Sequence, residues 1–247
     1  ELQIPTNFGR VAAGTAKQII VQRIKEAEKQ SISEEFQDKE GELMVGTLSR
    51  EDQNNYFVDL GRCSGILPKD QIIPGEKLEM GSSVKVYVSK LEIGPKGPFI
   101  MLSRSHYGFV KRLLEIEIPE LSDGTIMLYS VARDAGSRSK IAVYTEYTNV
   151  DPIGAVIGEK GRRIANVLKE LSGEKIDVIL YDKDPVKFIA NALSPAKDVK
   201  VSIKDETKKE ALALVNDKNL SLAIGKKGKN VKLASRITHY KIEVKPE

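Results

Sequence analysis

One cysteine, two histidines and no long apolar run are the scarcities of this chain of 247 residues. The lone Cys63 excludes an intramolecular disulfide and fits a reducing, cytoplasmic setting. With only His106 and His239, neither a histidine-based triad nor a histidine metal cluster has its parts, so no metal and no cofactor is expected. No stretch is apolar over the length a bilayer requires, so no membrane partner is expected, and no secretory leader is visible. No Gly-x-x-x-x-Gly-Lys-Ser/Thr loop is present, which removes the commonest nucleotide-triphosphate site. Cys63 sits in a turn with no histidine nearby in sequence, a poor setting for a nucleophile. Taken together, these absences lead us to expect a binding protein without catalytic residues.

What is present is a repeat. Ile157-Gly158-Glu159-Lys160-Gly161-Arg162-Arg163-Ile164 and Ile224-Gly225-Lys226-Lys227-Gly228-Lys229-Asn230-Val231 each set a Gly-x-x-Gly loop before a basic, helix-like stretch. Their surroundings match as well. Ile153 answers to Leu220, Arg162 to Lys229, Ile164 to Val231, and Lys175-Ile176-Asp177-Val178 to Lys241-Ile242-Glu243-Val244. Glycine lets a second backbone come close, and helix-start amides favour a phosphate. This is how a KH module holds about four nucleotides of a single strand. Gly94-Pro95-Lys96-Gly97 has the same spacing without the surroundings, and Pro and Gly between strand-like runs predict a hairpin turn there.

Net charge is only +4, but residues 218–241 hold seven lysines and arginines and no acid. That is a local footprint for a polyanion. The expected RNA contacts are the loop glycines Gly158, Gly161, Gly225 and Gly228, with Glu159, Lys160, Arg162, Arg163, Lys226, Lys227, Lys229 and Lys232 around them. Arg133 and Arg138, in the hairpin turn 133–138, are further candidates. Ile153, Val156, Ile164, Leu220 and Val231 are expected to floor a groove for bases, with the neighbouring strand reading base edges. Glu159 places an acid in the first loop, so the second is expected to grip harder.

The fold class expected is multidomain α+β. Ala12, Ala16, Ile19, Ile20, Ile24 and Ala27 recur at helical spacing and predict a helix over about 10–30, whose apolar stripe needs a partner. Ser31 to Glu40 reads as a linker, closing a first segment 1–40. Short strands at 43–48, 56–60, 66–68, 84–88 and 99–103 predict a five-stranded barrel of the OB type over 41–105. Alternation assigns one of Tyr56 and Phe57 to its core. Two units of order α-β-β-α-α-β follow, at 106–183 and 184–247. Pro119 is expected to stop the first helix, and Asp184-Pro185 to open the second unit with no linker.

The barrel segment resembles the RNA-binding barrel of a ribosomal small-subunit protein through Phe57 to Gly61, Gly65 to Pro68 and Leu102 to Arg104. Asn54 and Pro68 stand where that family often has an aromatic residue and a histidine, which leaves fewer rings for stacking. From Phe8-Gly9-Arg10 to the end, the chain resembles the NusA family of bacterial transcription factors. The motifs are Val11-Ala12-Ala13, Thr15 to Gln18, Ala132 to Asp134, Gly136 to Arg138, Lys140 to Val143, Asp151 to Ala155, Gly173 to Asp177 and Asn230 to Ser235. The resemblance implies a regulator that binds the nascent transcript and modulates polymerase pausing, termination and antitermination. It implies three partners: single-stranded RNA, RNA polymerase (mainly through an N-terminal domain of which only the last helix is expected here) and other antitermination factors. The alternative is a general KH-type protein of ribosome assembly or RNA decay.

Overall fold

The computed structural model describes residues 8–94 and 97–247, so the turn expected at Pro95-Lys96 lies outside the described residues. The chain divides into two compact units. One comprises the residues up to 70 together with 79–103; the other comprises 71–78 and 104–247.

In the first unit, helix α1 (Phe8–Gln37) runs well past the expected end. The stretch read as a linker is helical because no Gly or Pro interrupts it before Gly41 and because Phe36 gives it something to bury. Phe36 is buried on the side where α1 meets β4 (Ser83–Gly94) and β5 (Gly97–Ser103), and Glu35 pairs with Arg62. Further up the helix, Val11, Ile19, Ile20, Val21 and Ile24 are exposed. The strands β1 (Leu43–Glu51), β2 (Asn55–Asp59) and β3 (Ser64–Pro68) join β4 and β5 in a closed barrel of order β1-β2-β3-β5-β4. Closure requires β3 and β5 to pair in parallel, Gly65 opposite Ile100. Alternate side chains Leu48, Val58, Leu67, Val86, Ile100 and Leu102 fill the interior.

Neither aromatic of the β2 pair fills that interior. Val58 takes the core position, while Tyr56 and Phe57 are both half-buried. Arg50 lies over the Phe57 ring at 4.0 Å and Lys69 over Tyr56 at 5.3 Å. A ring that carries a cation on its face gains more at the wet rim than an aliphatic residue would.

In the second unit, α2 (Tyr107–Glu117) and α3 (Pro119–Ser122) precede β6 (Met127–Asp134) and β7 (Arg138–Tyr144). Pro119 does end α2, and it also opens α3 at a first-turn position where its missing N–H costs nothing. Then come α4 (Pro152–Ile157), the loop, α5 (Arg162–Lys169) and β8 (Lys175–Leu180). The same order repeats as α6 (Pro185–Ala192), β9 (Lys200–Asp205), β10 (Glu210–Val215), α7 (Asp217–Ile224), loop, α8 (Lys229–Thr238) and β11 (Lys241–Pro246). Each set makes a three-stranded sheet in which the last strand lies parallel to the middle one and forms an edge. Asp151 and Asp184 cap α4 and α6 through the amides of Ile153 and Val186.

One core runs through both repeats. Ala132, Ala142 and Ile179 of the first sheet pack with Phe188, Ile189, Ala192 and Leu193 and with Leu233, Ala234 and Ile237 of α8. Small residues on the sheet let the helices of the second repeat approach closely. Lys140 crosses this seam, donating to Asp177 at 3.0 Å and to the Ser194 carbonyl at 2.7 Å. Burial pulls the ammonium pKa down, against the opposing pull of Asp177.

Candidate nucleic-acid interface

The two glycine loops have nearly one backbone. Gly158, Lys160 and Gly161 stand at φ/ψ of 74/172, 52/27 and 73/16. Gly225, Lys227 and Gly228 stand at 74/167, 56/27 and 73/14. Both glycines of each pair need the positive-φ region. A Cβ on Gly158 would also meet Arg163 Cγ at 2.7 Å, and one on Gly225 would meet Asn230 Cβ at 2.7 Å. A turn closes each loop, from Gly161 N to Gly158 O and from Gly228 N to Gly225 O, both at 3.0 Å. The basic helices α5 and α8 start at the second glycines, so their positive ends lie at the loops.

Lys160, Arg162, Lys226, Lys227 and Lys232 are exposed, and none of them has an ion-pair partner among the described residues. Glu159 is exposed at the tip of the first loop. Three other expected contacts are engaged elsewhere. Arg133 is a correction: it is buried rather than on a hairpin surface. Its guanidinium meets Glu174 at 3.0–3.2 Å and donates to the carbonyls of Arg104 and His106, both at 2.7 Å. Glu174 also accepts from Gly136 N and Ser139 Oγ, so the charge pair is fully hydrogen-bonded and holds the β6–β7 turn. Arg163 lies against Glu120 at 2.9–3.0 Å and the Ala155 carbonyl at 2.8 Å. Lys229 reaches back to the first repeat, to Asp134 at 2.7 Å and Ser137 Oγ at 2.9 Å.

Of the expected apolar floor, Ile153, Ile164 and Val231 are half-buried. Val156 is wholly buried and belongs to the core, and Leu220 packs on Ala196, Val215 and Ala223. Ile153 faces a cleft of about 600 Å³ beside Val178 and Leu180 of edge strand β8. At that edge the Leu180 carbonyl accepts from Asn191 Nδ2 at 3.0 Å.

A second cleft, of about 570 Å³, lies beside the second loop. Gly225, Lys226, Lys227 and Lys229 line it together with Arg138 and Lys175 of the first repeat. Arg138 is 3.6 Å from Asp177, while Lys175 is exposed and has no ion-pair partner among the described residues. Asn230 packs beneath this loop. Its Nδ2 donates to the carbonyls of Leu193, Leu222 and Ala223 at 3.0–3.1 Å, and its Oδ1 is the one buried side-chain polar atom left unpaired among the described residues. Sequence reasoning passed over Asn230, Lys175, Glu174 and Glu120. The alignment of the repeats places Asn230 at the position of Arg163, and that was the available signal for one of them.

A basic cleft, two glycine loops and two α-β-β-α-α-β units after a closed barrel define a multidomain protein of the KH class. Residues 104–181 match the NusA-like first KH domain, residues 185–247 the NusA-like second KH domain and residues 1–30 the NusA N-terminal domain. The chain is 48% identical over 243 residues to the transcription termination/antitermination protein NusA of Halalkalibacterium halodurans, covering 98% of this chain and 63% of the relative. It is 47% identical to that of Bacillus subtilis, covering 98% and 65%, and 44% identical to that of Mycobacterium bovis, covering 98% and 72%. The chain belongs to the NusA family. It spans about two thirds of the length of these relatives.

Proposed function

We propose that this chain is the RNA-binding portion of a transcription elongation, termination and antitermination factor. It holds single-stranded nascent RNA through both KH loops, with the barrel as an added surface, and so modulates polymerase pausing. Polymerase contact is assigned to the family's N-terminal domain, whose match covers residues 1–30, and other antitermination factors are its further partners. The observation that carries the reading is the pair of loops with matching backbone angles, each joining the end of one helix to the start of a basic one. Amides and glycine Cα atoms at those positions admit a sugar-phosphate backbone, and bases then lie toward β8 or β11. No bond is made or broken in this function.

The test is an RNA titration at several salt concentrations, single strand against duplex of equal length. Single strands bind more tightly, because the clamp needs unpaired bases, and affinity falls steeply with salt. Changing Lys226 and Lys227 together to Asp lowers affinity about tenfold or more and leaves the thermal melt in place, since both side chains are exposed. Aspartates at Glu159 and Lys160 cost less. Tighter binding to duplex, or a loss confined to the first loop, overturns the assignment.

A further inference from the structure

The cleft beside the second loop is built by both repeats. Arg138 starts strand β7 and Lys175 starts β8, and the two are register partners in the first sheet. Both line the same cleft as Lys226, Lys227 and Lys229 of the second repeat, and no acidic residue lines it. Lys229 ties the two sides together by its bond to Asp134 and Ser137, and the shared core keeps them in register. Cations that line one cleft direct their field at the same bound anion, so moving that anion off one wall also removes what the other wall attracts. Arg138 also meets Asp177 at 3.6 Å, whereas Lys175 has no ion-pair partner among the described residues and lines this cleft.

We propose that the second loop's phosphate site is composite: Lys175 and Arg138 of the first repeat supply the far wall that holds the RNA backbone seated on Gly225 to Gly228. The proposal rests on the reading that the second loop binds RNA. It adds that the loop grips fully only when the first repeat is docked beside it. The first loop works differently, with Glu159 at its tip and Glu120 holding Arg163.

The test is a double-mutant cycle in the full chain, read by titration with a short single-stranded RNA. Lys175→Glu is the primary variant, because Lys175 is exposed and makes no ion pair among the described residues. It weakens binding about fivefold to tenfold and lowers the salt slope by about 1. In a chain that already carries Lys226→Asp and Lys227→Asp, the same change has a much smaller effect. Arg138→Gln follows the same pattern, with a thermal melt to separate lost binding from the lost Asp177 contact. Lys208→Ala removes a lysine that does not line the cleft, and binding stays within twofold. If Lys226→Asp and Lys227→Asp weaken binding while Lys175→Glu and Arg138→Gln act no more than Lys208→Ala, the composite site falls and the loop reading stands. Additive losses in the cycle also overturn it, since they make Lys175 an independent contact. If none of the cleft variants changes affinity, the loop reading falls with it.

Discussion

The two KH repeats share a backbone and differ in what holds it. In the first, the residue five places after the leading glycine is Arg163, braced by Glu120 and by the Ala155 carbonyl. In the second it is Asn230, buried and donating to three carbonyls, one of which is the matching Leu222. The strand-start neighbours differ in the same way. Glu174 in the first repeat is a buried carboxylate paired with Arg133. By the alignment of β8 with β11, its counterpart in the second is Tyr240, whose hydroxyl accepts from Lys209 at 3.4 Å. The first repeat is wired by buried charge and the second by neutral packing, and only the second keeps its loop free of acids. A fold that two chemistries can support leaves the loop surface free to differ.

The largest break in this comparison is expected at the buried pair. Arg133→Ala leaves Glu174 uncompensated at full burial, with two carbonyls stripped of their donor, and destabilises the chain by about 3–5 kcal/mol. Tyr240→Phe, at the position that answers Glu174, costs under about 1 kcal/mol because it removes one long hydrogen bond. Urea unfolding of both variants checks the pair. Equal losses would mean that the two repeats are held alike. RNA affinity measured on the folded fraction of Arg133→Ala stays near that of the parent, because the guanidinium faces protein.

A middle-sized effect separates the two braces. Asn230→Ala leaves the Leu193, Leu222 and Ala223 carbonyls without their side-chain donor and costs about 1–3 kcal/mol. Arg163 is a third exposed, so solvent screens its pair with Glu120, and Arg163→Ala costs about 1 kcal/mol or less. Asn230→Ala also loosens Gly225, which packs on it, and so lowers RNA affinity at the second loop. A larger stability loss for Arg163→Ala would reverse the comparison.

Much of this was legible in the sequence, for reasons that also mark the limits. The repeat carried its own check, since Ile153 with Leu220 and Lys175 with Lys241 had to match if the loops did. Strand patterning gave four of the five barrel strands to within three residues at each end, while β4 runs six residues past its expected end, to Gly94. What failed were judgements about single side chains. Phe36 and Ile32 are two apolar residues in a polar run, and the burial of Phe36 has no local pattern. Arg133 reads as a hairpin arginine because its partner lies 41 residues away. Arg163 has its acid 43 residues upstream. A charge is free or engaged according to distant partners, so composition located the basic face but could not sort its members.

The smallest expected effect sharpens the contrast in helix caps. The first repeat caps α2 with His106, whose Nδ1 accepts from Gly108 N at 3.0 Å, while the second caps α6 with Asp184. Burial, and then the charge of Arg133, holds the His106 pKa below its ordinary 6.5. In the unfolded chain the imidazole takes up a proton near 6.5; in the folded chain it does so only at lower pH. Between those values the unfolded state binds more protons, so stability is full above about 6.5 and declines as pH drops through that window. Protonation also converts Nδ1 from acceptor to donor and removes the cap. His106→Asn keeps a capping acceptor and removes the titration. Urea midpoints measured from pH 7.5 down to 5 fall for the parent chain and stay flatter for the variant. Parallel declines would assign the acid sensitivity to other groups and leave the two caps equivalent.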